Sequence, residues 1–256
     1  ATPPDVHEAY AIAALKAGKQ VYVEKPMSIT VASCLRMQEA AAYYHGKLVI
    51  AHYRRALPMF RCIQDLLLNG RIGKPRSVRI SLLLPDASQT VANSETNWRT
   101  SPAISGGGIL YDLAPHQLDL LVHFFGNPLG SFGFSANQAA LYKAEDVVCG
   151  IAHLPGPLLF SGQWCFTVAQ KQAEDVFEIT GSEGRIRFAV FGHNVTIETA
   201  QGTETLSFTP PKHIQQPMIE RVVQYFQGLG PNPCSPADAI PSMQMIETFA
   251  YSNRFI

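Results

Sequence analysis

The sequence predicts two architectures in one chain, of class α/β plus α+β. Residues 1–55 read as the C-terminal part of a doubly wound parallel sheet. Residues 56–256 read as a large, mostly antiparallel sheet with helices on one face. Three observations carry this reading. The first 55 residues alternate helical spacing with short apolar β-type runs at 20–23 and 48–53, which is the strand–helix–strand rhythm of a parallel sheet. Seven apolar runs between Ser131 and Phe208 are separated by Gly, Pro or Asn. Spacers as short as Leu154-Pro155-Gly156-Pro157 and Gly181-Ser182-Glu183-Gly184 make hairpins, and hairpin-linked strands are antiparallel.

In chain order, Thr2-Pro3-Pro4-Asp5 is a turn leading into a helix, with proline in the first turn and Asp5 near its positive end. Val6, Tyr10, Ala13, Ala14 and Ala17 keep helical spacing until Gly18 stops it. Gln20 to Val23 is a short strand, ended by Glu24-Lys25-Pro26. Ser28 or Thr30 caps the next helix, which runs to about Tyr44 and ends at Gly46. Leu48 to Tyr53 is a buried strand with Arg54-Arg55 at its end, and the domain boundary falls at about residue 55. Met59 to Leu68 is amphipathic. Val78, Ile80 and Leu82 alternate in a half-buried strand over 76–84, and the polar stretch from Pro85 to Thr96 is a loop. Gly106-Gly107-Gly108 then opens a helix whose Leu118, Leu121, Val122 and Phe125 form an apolar stripe. Pro115 either kinks this helix or marks its true start. After the antiparallel strands, Met218–Leu229 and Ala237–Tyr251 are helices, the last interrupted near Pro241. Phe132, Phe134, Phe160, Trp164 and Phe166 belong to one face or the other of the sheet, and an apolar outer face would call for a second subunit as cover.

Composition excludes several classes. Apolar residues make up 46%, charged residues 16% and the net charge is +0, with a pI near 7.3, so nothing draws the chain to nucleic acid or an anionic membrane. No apolar run approaches the ~20 residues of a membrane span. The five cysteines are scattered and without a C-x-x-C, which reads as reduced thiols in a cytoplasmic protein and not as a metal site.

Two stretches carry chemistry. Asp112 and His116 are four apart and share a helix face, a pairing of carboxylate and imidazole suited to moving a proton. Glu24-Lys25-Pro26 lies just past the carboxyl end of a predicted parallel strand, where ligands of such sheets bind.

Together these stretches resemble the Gfo/Idh/MocA family of NAD(P)-dependent sugar and polyol oxidoreductases. The likeness runs from Thr2-Pro3 and His7 through Glu24-Lys25-Pro26 and Trp98-Arg99 to the G-G-G-x-x-x-D-x-x-x-H at 106–116. It implies hydride transfer between NAD or NADP and a sugar or polyol, with a Rossmann-type first domain. It implies catalytic roles for Lys25, Asp112 and His116, and cofactor contacts from Thr2, Pro3, His7, Glu24, Lys25, Pro26, Trp98 and Arg99. Substrate contacts fall to Lys25, Arg55, Asp112 and His116. The run His213-Ile214-Gln215-Gln216-Pro217 resembles segments of some sugar-acting members. The expected partners are a small sugar or polyol and further copies of the chain, as a dimer or tetramer formed through the C-terminal sheet.

No G-x-G-x-x-G follows a strand anywhere in the sequence, and the chain opens without methionine. It therefore reads as lacking the first half of its dinucleotide domain, and by itself as inactive. Two other functions fit the same residues. A glycosidase or lyase could oxidise its sugar transiently and regenerate the cofactor each turnover, with no net absorbance change at the nicotinamide band. A non-catalytic sensor could keep the scaffold, although retention of both Lys25 and His116 argues against it.

Overall fold

The computed structural model describes residues 2–85 and 101–251 and the backbone of 254–255. In the first lobe, α1 (His7–Lys16) and α2 (Val31–Tyr43) pack beside a parallel pair, β1 (Val21–Val23) and β2 (Leu48–Ile50). Thr30 caps α2, its Oγ1 accepting the Ser33 N–H at 3.1 Å, which decides between the two candidate caps. The helix does not leave through Gly46 as expected. His45 takes the left-handed turn (φ 50°), and Gly46 is instead a point of close approach, where a Cβ would lie 2.5 Å from Leu15 Cδ2. Strand β2 is shorter than expected, because only three residues face β1 and Tyr53–Ala56 wind into a 3₁₀ turn.

The second lobe begins with α3 (Pro58–Leu68) and β3 (Pro75–Leu83). After the one-turn α4 (Pro102–Ser105), α5 runs unbroken over Gly108–Phe125 with Pro115 inside it. The late start weighed for Pro115 does not occur, because the helix is already formed from Gly108. Thirteen of its eighteen residues are buried, and that packing outweighs one missing backbone bond. The same holds for α7 (Pro236–Tyr251), which is not interrupted at Pro241 because Ile240, Met243, Met245, Ile246 and Phe249 bury against the core.

Strands β4 (Gly130–Ala136), β5 (Val147–His153), β6 (Leu159–Cys165), β7 (Glu174–Gly181), β8 (Gly184–Phe188), β9 (Asn194–Thr199) and β10 (Gly202–Ser207) join β3 and the short β11 (Arg254–Phe255). Their order is β10-β9-β8-β7-β3-β6-β5-β4-β11, antiparallel except where β3 meets β6 and β11 meets β4. Register now assigns the aromatic residues. Phe160, Trp164 and Phe166 are buried on the helix side, whereas Phe132 and Phe134 are exposed on the other face with Ile151 and Leu159. Gly133, Gly150 and Gly162 stand opposite one another, and the first two form a trough for α7. A Cβ on Gly150 would come within 2.6 Å of the Phe249 ring.

A cut at residue 55 separates the two sheets but not their packing. Helix α6 (Gln216–Phe226) returns to the first lobe, burying Met218 and Val222 against Val49 and Ala56. Lys47 Nζ donates to the carbonyls of Tyr225 and Phe226 at 2.8 and 2.9 Å, a cation at the negative end of α6. The Ile50 N–H donates to the Cys234 carbonyl at 2.9 Å, so the chain's later residues also cover β2.

Candidate active site

Helix α5 is the second lobe's contribution to the site. Asp112, His116 and Asp119 recur at spacings of four and three and therefore project from one face. That face meets the carboxyl ends of β1 and β2, where the first lobe presents Lys25, His52 and the Tyr53–Ala56 turn.

Lys25 Nζ donates to Asp112 Oδ1 at 2.6 Å and to the Asp112 backbone carbonyl at 2.7 Å. The carbonyl lies in the turn of α5 just before Pro115, whose missing N–H leaves the adjacent Tyr111 carbonyl without its helical donor. An ammonium has three donors, so two are used on Asp112 and a third is left for another oxygen. His116 follows Asp112 by one helical turn and is buried. Its ring lies edge-on to Tyr53 (centroids 5.4 Å apart) and to Phe191 (5.8 Å). Burial first, then the charges of Lys25 and Arg54, push its pKa well below the usual histidine value, so the ring is neutral at pH 7. Its Nδ1 is sealed off without a hydrogen-bond partner.

Three turns of contact hold α5 in this register. At the far end of the face, Arg55 Nε and Nη2 donate to Asp119 Oδ2 and Oδ1 at 2.9 and 2.7 Å, and Nη2 reaches the Asp238 carbonyl at 3.2 Å. Arg55 and Asp119 are both buried. The Arg55 guanidinium forks onto a carboxylate and ties the lobes together. His52 stands beside the same carboxylate, Nδ1 to Oδ1 3.6 Å, and burial lowers its pKa to about 4.

The expected cofactor residues divide. Glu24 Oε1 accepts from Gln215 Nε2 at 3.0 Å and Oε2 from the Lys25 N–H at 3.3 Å, so the His213–Pro217 run meets the site through Gln215. His7 is buried, with its ring nitrogens 3.1 Å from the Pro26 carbonyl and 3.0 Å from the Thr2 carbonyl. It bridges the two loops at the sheet's carboxyl end. Pro3 sits ahead of the 3₁₀ turn Pro4–Val6 that leads into α1. Trp98 and Arg99 lie outside the described residues.

Sequence reasoning missed five participants. Asp119 was visible as the next member of the Asp112/His116 stripe. His52, Tyr53 and Arg54 were visible only as a strand end. Arg54 stacks its guanidinium on Tyr53 (5.4 Å), Phe60 (6.0 Å) and Phe191 (4.6 Å) and donates from Nη1 to the Val190 carbonyl at 2.7 Å. Phe191 comes from the loop between β8 and β9, and no local pattern marks it.

Residues 1–52 match the family model described as "Oxidoreductase family, NAD-binding Rossmann fold", and residues 60–187 match "GFO/IDH/MocA C-terminal domain". Oxidoreductase P35 of Formosa agariphila is 35% identical over 249 residues, spanning 97% of this chain and 76% of that protein. The 1,5-anhydro-D-fructose reductase of Ensifer adhaerens is 29% identical over 80% of this chain and 59% of its own length. Among solved structures, aldose-aldose oxidoreductase from Caulobacter crescentus, complexed with glycerol, superposes with a TM-score of 0.84 at 20% identity, over 96% of this chain and 73% of that one. By its two lobes, its matched domains and a relative aligned along nearly its whole length, this chain belongs to the Gfo/Idh/MocA oxidoreductase family.

Proposed function

We propose that this chain carries the catalytic groups of an NAD- or NADP-dependent enzyme that moves a hydride between the nicotinamide and a sugar or polyol carbon. The observation that carries the reading is the Lys25–Asp112 contact, made across the lobes one helical turn from a neutral, buried His116. The residues present fit the nicotinamide end of such a cofactor. Thr2, Pro3, Glu24, Lys25 and Pro26 would hold it at the carboxyl end of the parallel strands, with His7 fixing two of their carbonyls. The sequence holds no glycine-rich phosphate cradle, so these residues account for that end alone. The names of the relatives, an anhydrofructose reductase and an aldose-aldose oxidoreductase, support a carbohydrate substrate.

A nicotinamide held by Thr2, Pro3, Glu24, Lys25 and Pro26 would supply a hydride acceptor that is cationic before the exchange and neutral after it. His116 takes the hydroxyl proton in the same exchange, so the imidazolium is not an extra cation beside Lys25 and Arg54. Lys25, steadied by two bonds to Asp112, turns its remaining N–H toward the reacting oxygen and stabilises the negative charge that grows there. Asp112 therefore acts by aiming the ammonium. In the reductive direction the same groups run in reverse, with His116 as proton donor.

Lys25→Ala in the full-length protein is expected to lower kcat on its best sugar or polyol about a hundredfold, read at the nicotinamide absorbance band. Full turnover in that variant sinks the reading. The exposed Phe132, Phe134, Ile151 and Leu159 support a homo-oligomer closed over the outer sheet face. Five unpaired cysteines support a cytoplasmic setting.

A further inference from the structure

We propose that Phe191 is a specificity-determining platform beside His116, which selects ring-shaped over open-chain polyols by stacking on the apolar C–H face of the ring. The inference rests on the hydride-transfer reading and names its substrate shape.

The segment between β8 and β9 is built to hold this one side chain still. Val190 is fully buried, and its carbonyl accepts from Arg54 Nη1 at 2.7 Å. The Phe191 N–H donates to Asp175 Oδ2 at 2.7 Å, and the Gly192 N–H closes a turn onto the Ala189 carbonyl at 3.2 Å. Asp175 is itself mostly buried, and burial raises its pKa, so its place at the edge of β7 is not that of a casual surface acid. The backbone at Phe191 is thus anchored from both lobes.

The ring is not anchored for the core's sake. Phe177 and Phe188, on the strands beside it, are 0% and 3% exposed, but Phe191 is 38% exposed. Its edge-on partner is His116, at 5.8 Å and 85° between planes. Arg54 lies over the ring, 4.6 Å from its centroid, and the exposed remainder of the ring is what a ligand can meet. A rigid, half-exposed aromatic ring beside a buried base presents a flat apolar surface where the reacting carbon must stand.

The chemistry of the substrate completes the match. A pyranose or cyclitol held in its chair shows a patch of C–H groups on one face and hydroxyls around its rim. The patch stacks on an aromatic ring while a rim hydroxyl remains free to meet Lys25 and His116. An open-chain polyol has no such persistent face and must freeze several rotors to imitate one. Discrimination follows from the shape of the ligand and needs no additional hydrogen bond.

The test compares methyl β-glucopyranoside with glucitol, using the full-length protein with its nicotinamide nucleotide. Selective saturation of aromatic protons is expected to transfer to the ring C–H protons of the glucoside. Phe191→Ala should abolish that transfer and Phe191→Trp should restore it. The ratio of glucoside to glucitol affinity should fall about tenfold in Phe191→Ala, the effect of one lost aromatic stacking contact. The proposal is overturned if the glucoside fails to bind the native protein at millimolar concentration, if transfer persists in Phe191→Ala, or if both ligands weaken equally. Failure of the underlying reading is seen separately, as full turnover in Lys25→Ala whatever Phe191 does.

Discussion

Two histidines at the lobe junction are held neutral at a cost the whole protein bears. His52 is buried, neither ring nitrogen has a hydrogen-bond partner, and its pKa falls from 6.5 to about 4. Between those values the unfolded chain binds the proton and the folded chain does not. Stability is therefore complete above pH 6.5 and is lost as pH falls toward 4, by roughly 3 kcal/mol for this group alone. His116 adds a loss of the same sign. Urea unfolding of His52→Asn and native protein at pH 7 and pH 4.5 should show the variant losing distinctly less on acidification. Equal losses would remove His52 from the account. Lys25, Asp112 and His116 were legible in the sequence because each sits at a fixed offset from a strand end or a glycine run. His52 and Arg54 were not, because their meaning depends on what α5 and the Val190–Phe191 loop bring against them from far along the chain.

Helix α5 is where the two lobes are fitted to each other, and the Arg55–Asp119 fork is its lower fastening. Asp119→Ala leaves a buried guanidinium without its carboxylate and should destabilise the protein by about 3–5 kcal/mol. Arg55→Met combined with Asp119→Leu should recover most of that, because the desolvation of both ions is removed together. Urea midpoints of the single and double variants decide it, and a double variant as unstable as Asp119→Ala would show the fork is not what matters there. Apart from β2, which ends three residues early, strand positions were read to within about two residues, since alternation and hairpin spacers act locally. The late start weighed for Pro115 and the interruption expected near Pro241 do not occur. Proline's local penalty is a few kcal/mol, and the apolar side chains these helices bury exceed it once neighbours three strands away are in place. The glycines at 133, 150 and 162 likewise look like strand-weakening residues until Phe249 fills the space at the first two and Trp164 and Phe160 that at the third.

At the scale of the molecule, the nine-stranded sheet is covered by helices on one side and shows Phe132, Phe134, Ile151 and Leu159 on the other. If two copies close over that face, Phe134→Arg should halve the mass measured by light scattering on a sizing column, with the circular dichroism spectrum retained. A native protein that elutes as a monomer at assay concentration would end the idea. Which aromatic residues faced outward was unreadable beforehand, because a one-residue slip in register exchanges the faces. The return of α6 and the 232–234 segment to the first lobe was also unreadable. That return has a consequence during synthesis. A ribosome delivers the parallel pair first, yet Val49, Ile50 and Ala56 find part of their covering only in residues 218–234, made well after it. The first lobe must stay sticky while the intervening residues are made, which gives a chaperone reason to hold it.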